Sequence, residues 1–189
     1  MTHPKHVLTL LPHATVAAPP RTLWFTGLSG AGKSTLARAL ETSLIARQRA
    51  VFVLDGDDLR TGLNKGLGFS PEDRAENIRR VAEVARLMNR AGLIVLAALV
   101  SPFMRDREIA RNIIGAEVFR EVHVSTPLST CEARDTKTLY RKARAGLIPD
   151  FTGIGSPYEH PHAPDLEIDT TDASVEEILP KLLALIESA

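Results

Sequence analysis

Apolar residues along this chain fall into two rhythms. Short, nearly continuous runs occur at Leu23-Trp24-Phe25-Thr26, Ala50 to Leu54, Leu93 to Val100, Val118 to Val124 and Leu166-Glu167-Ile168. Such runs suit strands of a parallel sheet covered on both faces. Between them, apolar positions recur at helical spacing: Leu36, Ala37, Ala39, Leu40 and Leu44; Ile78, Val81, Ala82, Ala85 and Met88; Ile178, Leu182, Leu185 and Ile186. Ser70-Pro71-Glu72-Asp73 predicts a helix start, with serine as cap and proline in the first position, and the helix should end near Gly92. Ser174-Val175-Glu176-Glu177 predicts a capping box for the last helix. Further helices are expected over about 103–114, from Pro127, and through the basic stretch Arg134 to Arg144. The glycine-rich stretch 56–69 and the proline- and glycine-rich stretch 146–164 read as loops. Strands alternating with helices predict an α/β fold: a mostly parallel five-stranded sheet with helices on both faces, its ligands at the carboxyl ends of the strands. Residues 21–189 read as one domain and residues 1–20, broken by four prolines, as a flexible N-terminal arm.

The first strand runs directly into GLSGAGKST, with Gly27, Gly32, Lys33 and Ser34 on the fixed positions of a phosphate-binding loop. Strand, glycine loop and helix in that order make the fold three-layer and P-loop NTPase-like. Glycines let the backbone wrap a polyphosphate, so its N–H groups and the helix N-terminus face the anion. Gly27, Leu28, Ser29, Gly30, Ala31, Gly32, Lys33, Ser34 and Thr35 are therefore the candidate ATP-binding residues. Lys33 would reach the β- and γ-phosphates, and the Ser34 hydroxyl would ligate Mg²⁺.

Composition narrows the partners. Of 189 residues, 44% are apolar and 24% charged, ordinary for a globular chain, and the formal net charge is zero. That balance gives no general pull toward nucleic acid or an anionic membrane, so anion binding must come from local clusters. A single cysteine, Cys131, excludes an internal disulfide framework and suits a reducing compartment. No run is long enough to span a membrane and the N-terminus makes a poor signal peptide, so a cytoplasmic location is expected.

Phosphate-binding loops serve switches, motors and small-molecule kinases alike. A guanine switch needs Asn-Lys-x-Asp, and Asn64-Lys65-Gly66-Leu67 lacks the aspartate. Small size and a late basic segment favour a kinase with a closing lid. Asp55 and Asp57, at the end of the second strand, are placed to hold the water shell of Mg²⁺ and to accept a hydroxyl proton, although Asp-Gly-Asp is also a good turn. Arg60, Asn64, Arg74, Asn77 and Arg80 follow and could grip a second, anionic substrate; the alternative is a solvated helix face with Arg74 and Arg80 paired to Glu76 and Glu83. Ser101, before Pro102 and Phe103 with Arg105 and Arg107 close behind, reads first as a helix cap, with ligand contact or phosphate acceptance as alternatives. Arg134, Lys137, Arg141, Lys142 and Arg144 could close over a triphosphate, or form a solvated face.

Taken together, GLSGAGKST, DGDDLRTGLNKGLGFSPEDRAENIRR, SPFMRDRE, TPLSTCEARDTKTLYRKARAG and FTGIGSPYE resemble the adenylylsulfate kinase (APS kinase) family, over essentially residues 21 to 187. The resemblance implies ATP-dependent phosphorylation of the 3′-hydroxyl of adenylyl sulfate, giving 3′-phosphoadenylyl sulfate (PAPS) and ADP with Mg²⁺. It implies a homodimer and a functional link to a sulfate adenylyltransferase. It gives Asp57 the role of base or water-organising carboxylate, with Asp55 nearer the metal's water shell. Arg60, Asn64 and Arg74 become sulfate- and phosphate-side contacts, with Asn77, Ser101 and Lys137 also on the acceptor. Phe69 and Phe151 become two faces sandwiching its adenine, Arg134 packs on the ATP adenine, and Lys137 to Arg144 form the lid. Ser101 matches a proposed phosphoserine, although in-line transfer needs no such intermediate. Asp58, Ser125, Thr138 and Gly155 depart from the family's usual asparagine, aspartate, glycine and aspartate, and are expected to flank the working residues. A kinase for another hydroxyl substrate, or a nucleotide-binding regulatory module, are the competing readings.

Overall fold

The computed structural model describes residues 20–187; the expected N-terminal arm lies outside the described residues, save Pro20. The strands β1 (Thr22–Thr26), β2 (Val51–Asp55), β3 (Ile94–Ala98), β4 (Phe119–Val124) and β5 (Leu166–Ile168) form one sheet in the order β2-β3-β1-β4-β5. Every pairing is parallel, so the expected sheet is more regular than "mostly parallel". The chain winds from β1 out to β2, back to β3, then crosses β1 to reach β4. That reversal puts the switch point between β1 and its neighbours, where open α/β sheets bind ligands.

The strand runs are continuous because each face has its own cover. Leu23 and Phe25 of β1 and Ile94, Leu96 and Ala98 of β3 enter one core, with Leu36, Leu40 and Leu44 of α1 (Lys33–Ala46) and Ile178, Leu182 and Ile186 of α7 (Val175–Glu187). Trp24, Val95 and Ala97 point the other way, to Ile78, Val81 and Ala85 of α3 (Pro71–Arg90) and to Ala110 and Ile114 of α4 (Met104–Ile114). Period-2 alternation thus feeds two cores from one strand.

Helix starts follow the side chains that satisfy them. Ser70 Oγ accepts from the Asp73 amide at 3.1 Å, and Ser174 and Glu177 exchange the expected reciprocal bonds. Two expectations need correction. The stretch after β2 is not all loop: α2 (Gly56–Thr61) forms there, because Asp55 caps it by accepting from the Asp57 amide at 3.0 Å. The short helix expected from Pro127 is α5 (Leu128–Arg134), but the basic stretch after it is helical only as α6 (Leu139–Arg144), which starts where the Asp135 carboxylate accepts from the Tyr140 and Arg141 amides.

Candidate active site

All five strands end on the same edge, and the residues that carry chemistry gather there. Gly27 leaves β1 at φ +145°, and a Cβ there would stand 2.4 Å from the Val124 carbonyl oxygen, so only glycine lets the loop start against β4. Gly32, at φ +104°, hands the loop to α1. Thr126 and Thr170, beyond β4 and β5, both donate to the Ala31 carbonyl, at 3.1 and 2.8 Å, and hold the loop from beneath. Lys33 is buried and donates to the Gly27 and Leu28 carbonyls at 2.9 and 2.7 Å. Burial first, and Lys137 after it, bring its pKa down to about 8 against the opposing pull of Cys131, Asp55 and Asp57. Ser34 and Thr35 are exposed on the first turn of α1.

Asp55 is buried at the end of β2, while Asp57 is exposed on α2 and meets the Lys137 ammonium. Burial lowers the pKa of both Lys33 and Arg60, and Asp57 opposes the shift in each, so its carboxylate is within electrostatic reach of the phosphate-binding loop and the arginine cluster. Asp58, one residue on, pairs with Arg38 of α1 at 3.2 Å instead of facing this cluster.

Arg60 donates to the Leu67 carbonyl at 3.1 Å, and its guanidinium lies 4.4 Å from the Phe69 ring centre. Arg74 lies 5.5 Å from the same centre and donates to the Phe69 and Asp150 carbonyls. Burial lowers the pKa of both arginines. The paired-face alternative fails for Arg74: Glu76 instead takes Arg79 and Arg80, both at 2.7 Å, and Glu83 takes Arg86. Asn64 and Asn77 are buried; neither polar atom of the Asn64 amide has a hydrogen-bond partner among the described residues, nor does Asn77 Oδ1. Such groups cost about 1–3 kcal/mol each unless something satisfies them. Phe69, half exposed, and Arg74 border a cavity of about 320 Å³ that Phe103, Ser156 and Pro157 also line. Gly155 is also in that wall. Phe151 is not: it packs edge-on to Tyr140, ring centres 5.0 Å apart.

Ser101 is not the cap of α4; Phe103 holds that position. Ser101 is buried at φ +44°, and its Oγ accepts from the Trp24 indole at 3.0 Å. Arg134 donates to the Gly30 carbonyl and to both oxygens of Thr170, at the rim of the loop. Of the lid cations, Lys137 alone meets the α2 carboxylates, and Arg144 is held by Glu132 in a two-pronged ion pair. Sequence reasoning missed the threonines under the loop, Phe103 in the cavity wall and Tyr140, whose hydroxyl donates to the Ser29 carbonyl at 2.8 Å. The clustering of small polar residues after β4 and β5, at TP and TT, was their only local signal.

A phosphate-binding loop on a parallel sheet, with carboxylates and arginines on the neighbouring strand ends, defines a P-loop small-molecule kinase. The sequence model of adenylylsulphate kinase matches residues 19–169. The adenylyl-sulfate kinase of Pseudomonas aeruginosa is 54% identical over 89% of this chain and 86% of its own length. Among solved structures, the APS kinase of Mycobacterium tuberculosis in complex with AMPPNP and APS matches with a TM-score of 0.86 and 48% identity, over 90% of this chain and 99% of that one. A hexameric APS kinase from Thiobacillus denitrificans matches with a TM-score of 0.66 and 34% identity, over 90% of this chain and 29% of that one. The chain belongs to the adenylylsulfate kinase family. No helix among the described residues is long and apolar enough to cross a membrane.

Proposed function

We propose that this chain transfers the γ-phosphoryl group of ATP to the ribose 3′-hydroxyl of adenylyl sulfate, giving PAPS and ADP. The observation that carries the reading is the place of Asp57, on the same short helix as Arg60 and in contact with the Lys137 ammonium. The acceptor's 3′-oxygen forms a bond to the γ-phosphorus as the bond to the β,γ-bridging oxygen breaks, and Asp57 takes the hydroxyl proton. Lys33 leaves its loop carbonyls for the β- and γ-phosphates, and Lys137 adds charge from the lid. Arg60 and Arg74, with Asn64 and Asn77, hold the phosphosulfate of the acceptor. Phe69 offers an aromatic face to its adenine, Phe151 is assigned the other, and Arg134 packs on the ATP base.

The residues present fit Mg²⁺. No group of three or more metal-binding side chains exists among the described residues, but the Ser34 hydroxyl and the Asp55 and Asp57 carboxylates are hard oxygen donors. Mg²⁺ keeps most of its waters and is bound by few protein oxygens plus substrate phosphates. When bound, it neutralises charge on the transferring group.

The test is ADP production from ATP with and without adenylyl sulfate. Acceptor-dependent ADP and PAPS are expected; no rise over background would leave the P-loop kinase class standing and remove this acceptor. The same reading makes the protein a cytoplasmic homodimer fed by a sulfate adenylyltransferase, and light scattering on a sizing column measures the assembly.

A further inference from the structure

Arg107, in the first turn of α4, is a buried cation that the reaction does not use. Its side chain is 4% exposed and every guanidinium nitrogen is engaged. Nε meets Glu121 Oε1 of β4 at 2.7 Å; Nη1 donates to the Ser101 carbonyl and Nη2 to the Glu159 carbonyl, each at 2.8 Å. A buried ion pair is a poor way to gain stability, since apolar residues of similar volume often do as well or better. What a guanidinium does that apolar residues do not is hold two carbonyls at a fixed spacing.

Those carbonyls come from two segments that meet at the acceptor cavity. One is the turn after β3, where Ser101 is held in the left-handed region at φ +44°, a strained position that persists only where neighbours impose it. The Ser101 carbonyl also accepts from Thr26 Oγ1 at 3.2 Å, and two residues on Phe103 forms cavity wall. The other segment supplies Ser156 and Pro157 to that wall. Glu159 stitches the two together again: its amide donates to the Pro102 carbonyl at 2.8 Å, and its carboxylate accepts from the Met104 amide at 2.7 Å. Tyr158 hydrogen-bonds Thr26 through its hydroxyl at 2.9 Å, with the Arg107 guanidinium 5.8 Å from its ring centre.

We infer that Arg107 is a positioning residue for acceptor recognition, setting Phe103 against Ser156 and Pro157 without touching substrate. The inference rests on the reading of that cavity as the adenylyl sulfate site. Arg107 has no contact with the loop residues 28–35 or with Arg134, so donor binding should be spared.

The experiment compares the wild type with Arg107→Lys and with the double variant Arg107→Met, Glu121→Leu, which removes the charge and its partner together. Melting temperature, KM for adenylyl sulfate, KM for ATP and kcat are measured on each. Emission of Trp24, the one tryptophan, reports the turn directly through its bond to Ser101. The double variant should fold, raise the acceptor KM by about tenfold or more, leave the ATP KM within about twofold and shift Trp24 emission. Arg107→Lys, able to hold one carbonyl at a time, should fall between. A folded double variant with wild-type acceptor KM overturns the inference, as does a KM for ATP that rises in step. If the double variant does not fold, Arg107→Lys decides by the same criterion. A wild-type chain that makes no ADP with adenylyl sulfate refutes the acceptor reading itself, and the inference with it.

Discussion

Lys33 holds its place by hydrogen bonds that a ligand must replace. It is buried against the loop's own carbonyls with a pKa near 8, so the free chain loses that charge well below the ordinary lysine range. A depressed lysine pKa makes the unfolded chain bind more protons, so this group costs stability below about pH 8 and the cost lifts as pH rises toward the ordinary value. Phosphates beside Nζ favour the charged form and raise its pKa. Between the free and bound values, nucleotide binding must therefore take up a proton, and affinity should fall by up to about tenfold per pH unit above pH 8. Calorimetry in two buffers of different ionisation heat, at about pH 8.5, measures this; proton release would refute it. Asp57 supports a second expectation. Asp57→Ala should lower transfer by about 10²–10⁴-fold, the usual worth of a positioned base, with nucleotide binding nearly unchanged. Normal turnover with lost nucleotide binding would reverse the role given to it. The loop and these aspartates were legible because their signals are contiguous: fixed glycine spacing and a carboxylate at a strand end. Arg107 was not, since its partners lie at 101, 121 and 159 and no pattern along the chain joins them.

At the scale of elements, periodicity carried the strands and long helices because each buries a stripe wide enough to print on the sequence. α2 escaped that reading: GDDLRT has no fully buried residue, only Leu59 half-buried against the second core, and its start is set by the Asp55 cap. The late start of α6 escaped for a similar reason, since Asp135 to Thr138 hold the chain out of the helix by local hydrogen bonds. Thr138 starts α6 at φ +56°, where a β-branched residue is strained by about 1–2 kcal/mol. Thr138→Gly removes that strain but loosens the unfolded chain by about 0.5–1 kcal/mol. The net gain, between zero and about 1.5 kcal/mol, should raise the melting temperature by up to about 6 °C for a domain of this size. A lower melting temperature would mean that the threonine side chain earns its place by contacts of its own.

Across the whole molecule, strand order sorts the chemistry in a way the sequence alone could not, because alternation predicts a parallel sheet without saying which strands are neighbours. In the proposed reading, the ends of β1, β4 and β5 form the donor half: the phosphate-binding loop, Thr126 beneath it, and Thr170 tied to Arg134. The acceptor half of that reading lies on the other side of the switch point, with Asp55 and the arginines after β2 and the turn from Ser101 to Phe103 after β3, closed by Ser156 and Pro157 from the segment before β5. If the halves are that separate, each ligand should stabilise the fold through its own residues. At a hundred times its dissociation constant, MgADP contributes about 2.7 kcal/mol, which is about 5–10 °C in melting temperature here. Lys33→Ala should lose that shift. Arg74→Ala should keep it and lose the further rise that adenylyl sulfate gives to the MgADP complex, each shift being measured against the same variant without ligand. Loss of the MgADP shift in Arg74→Ala would mean the halves are coupled through α2 and the Lys137 contact with Asp57, and that the division by strand order describes the architecture but not the binding energy.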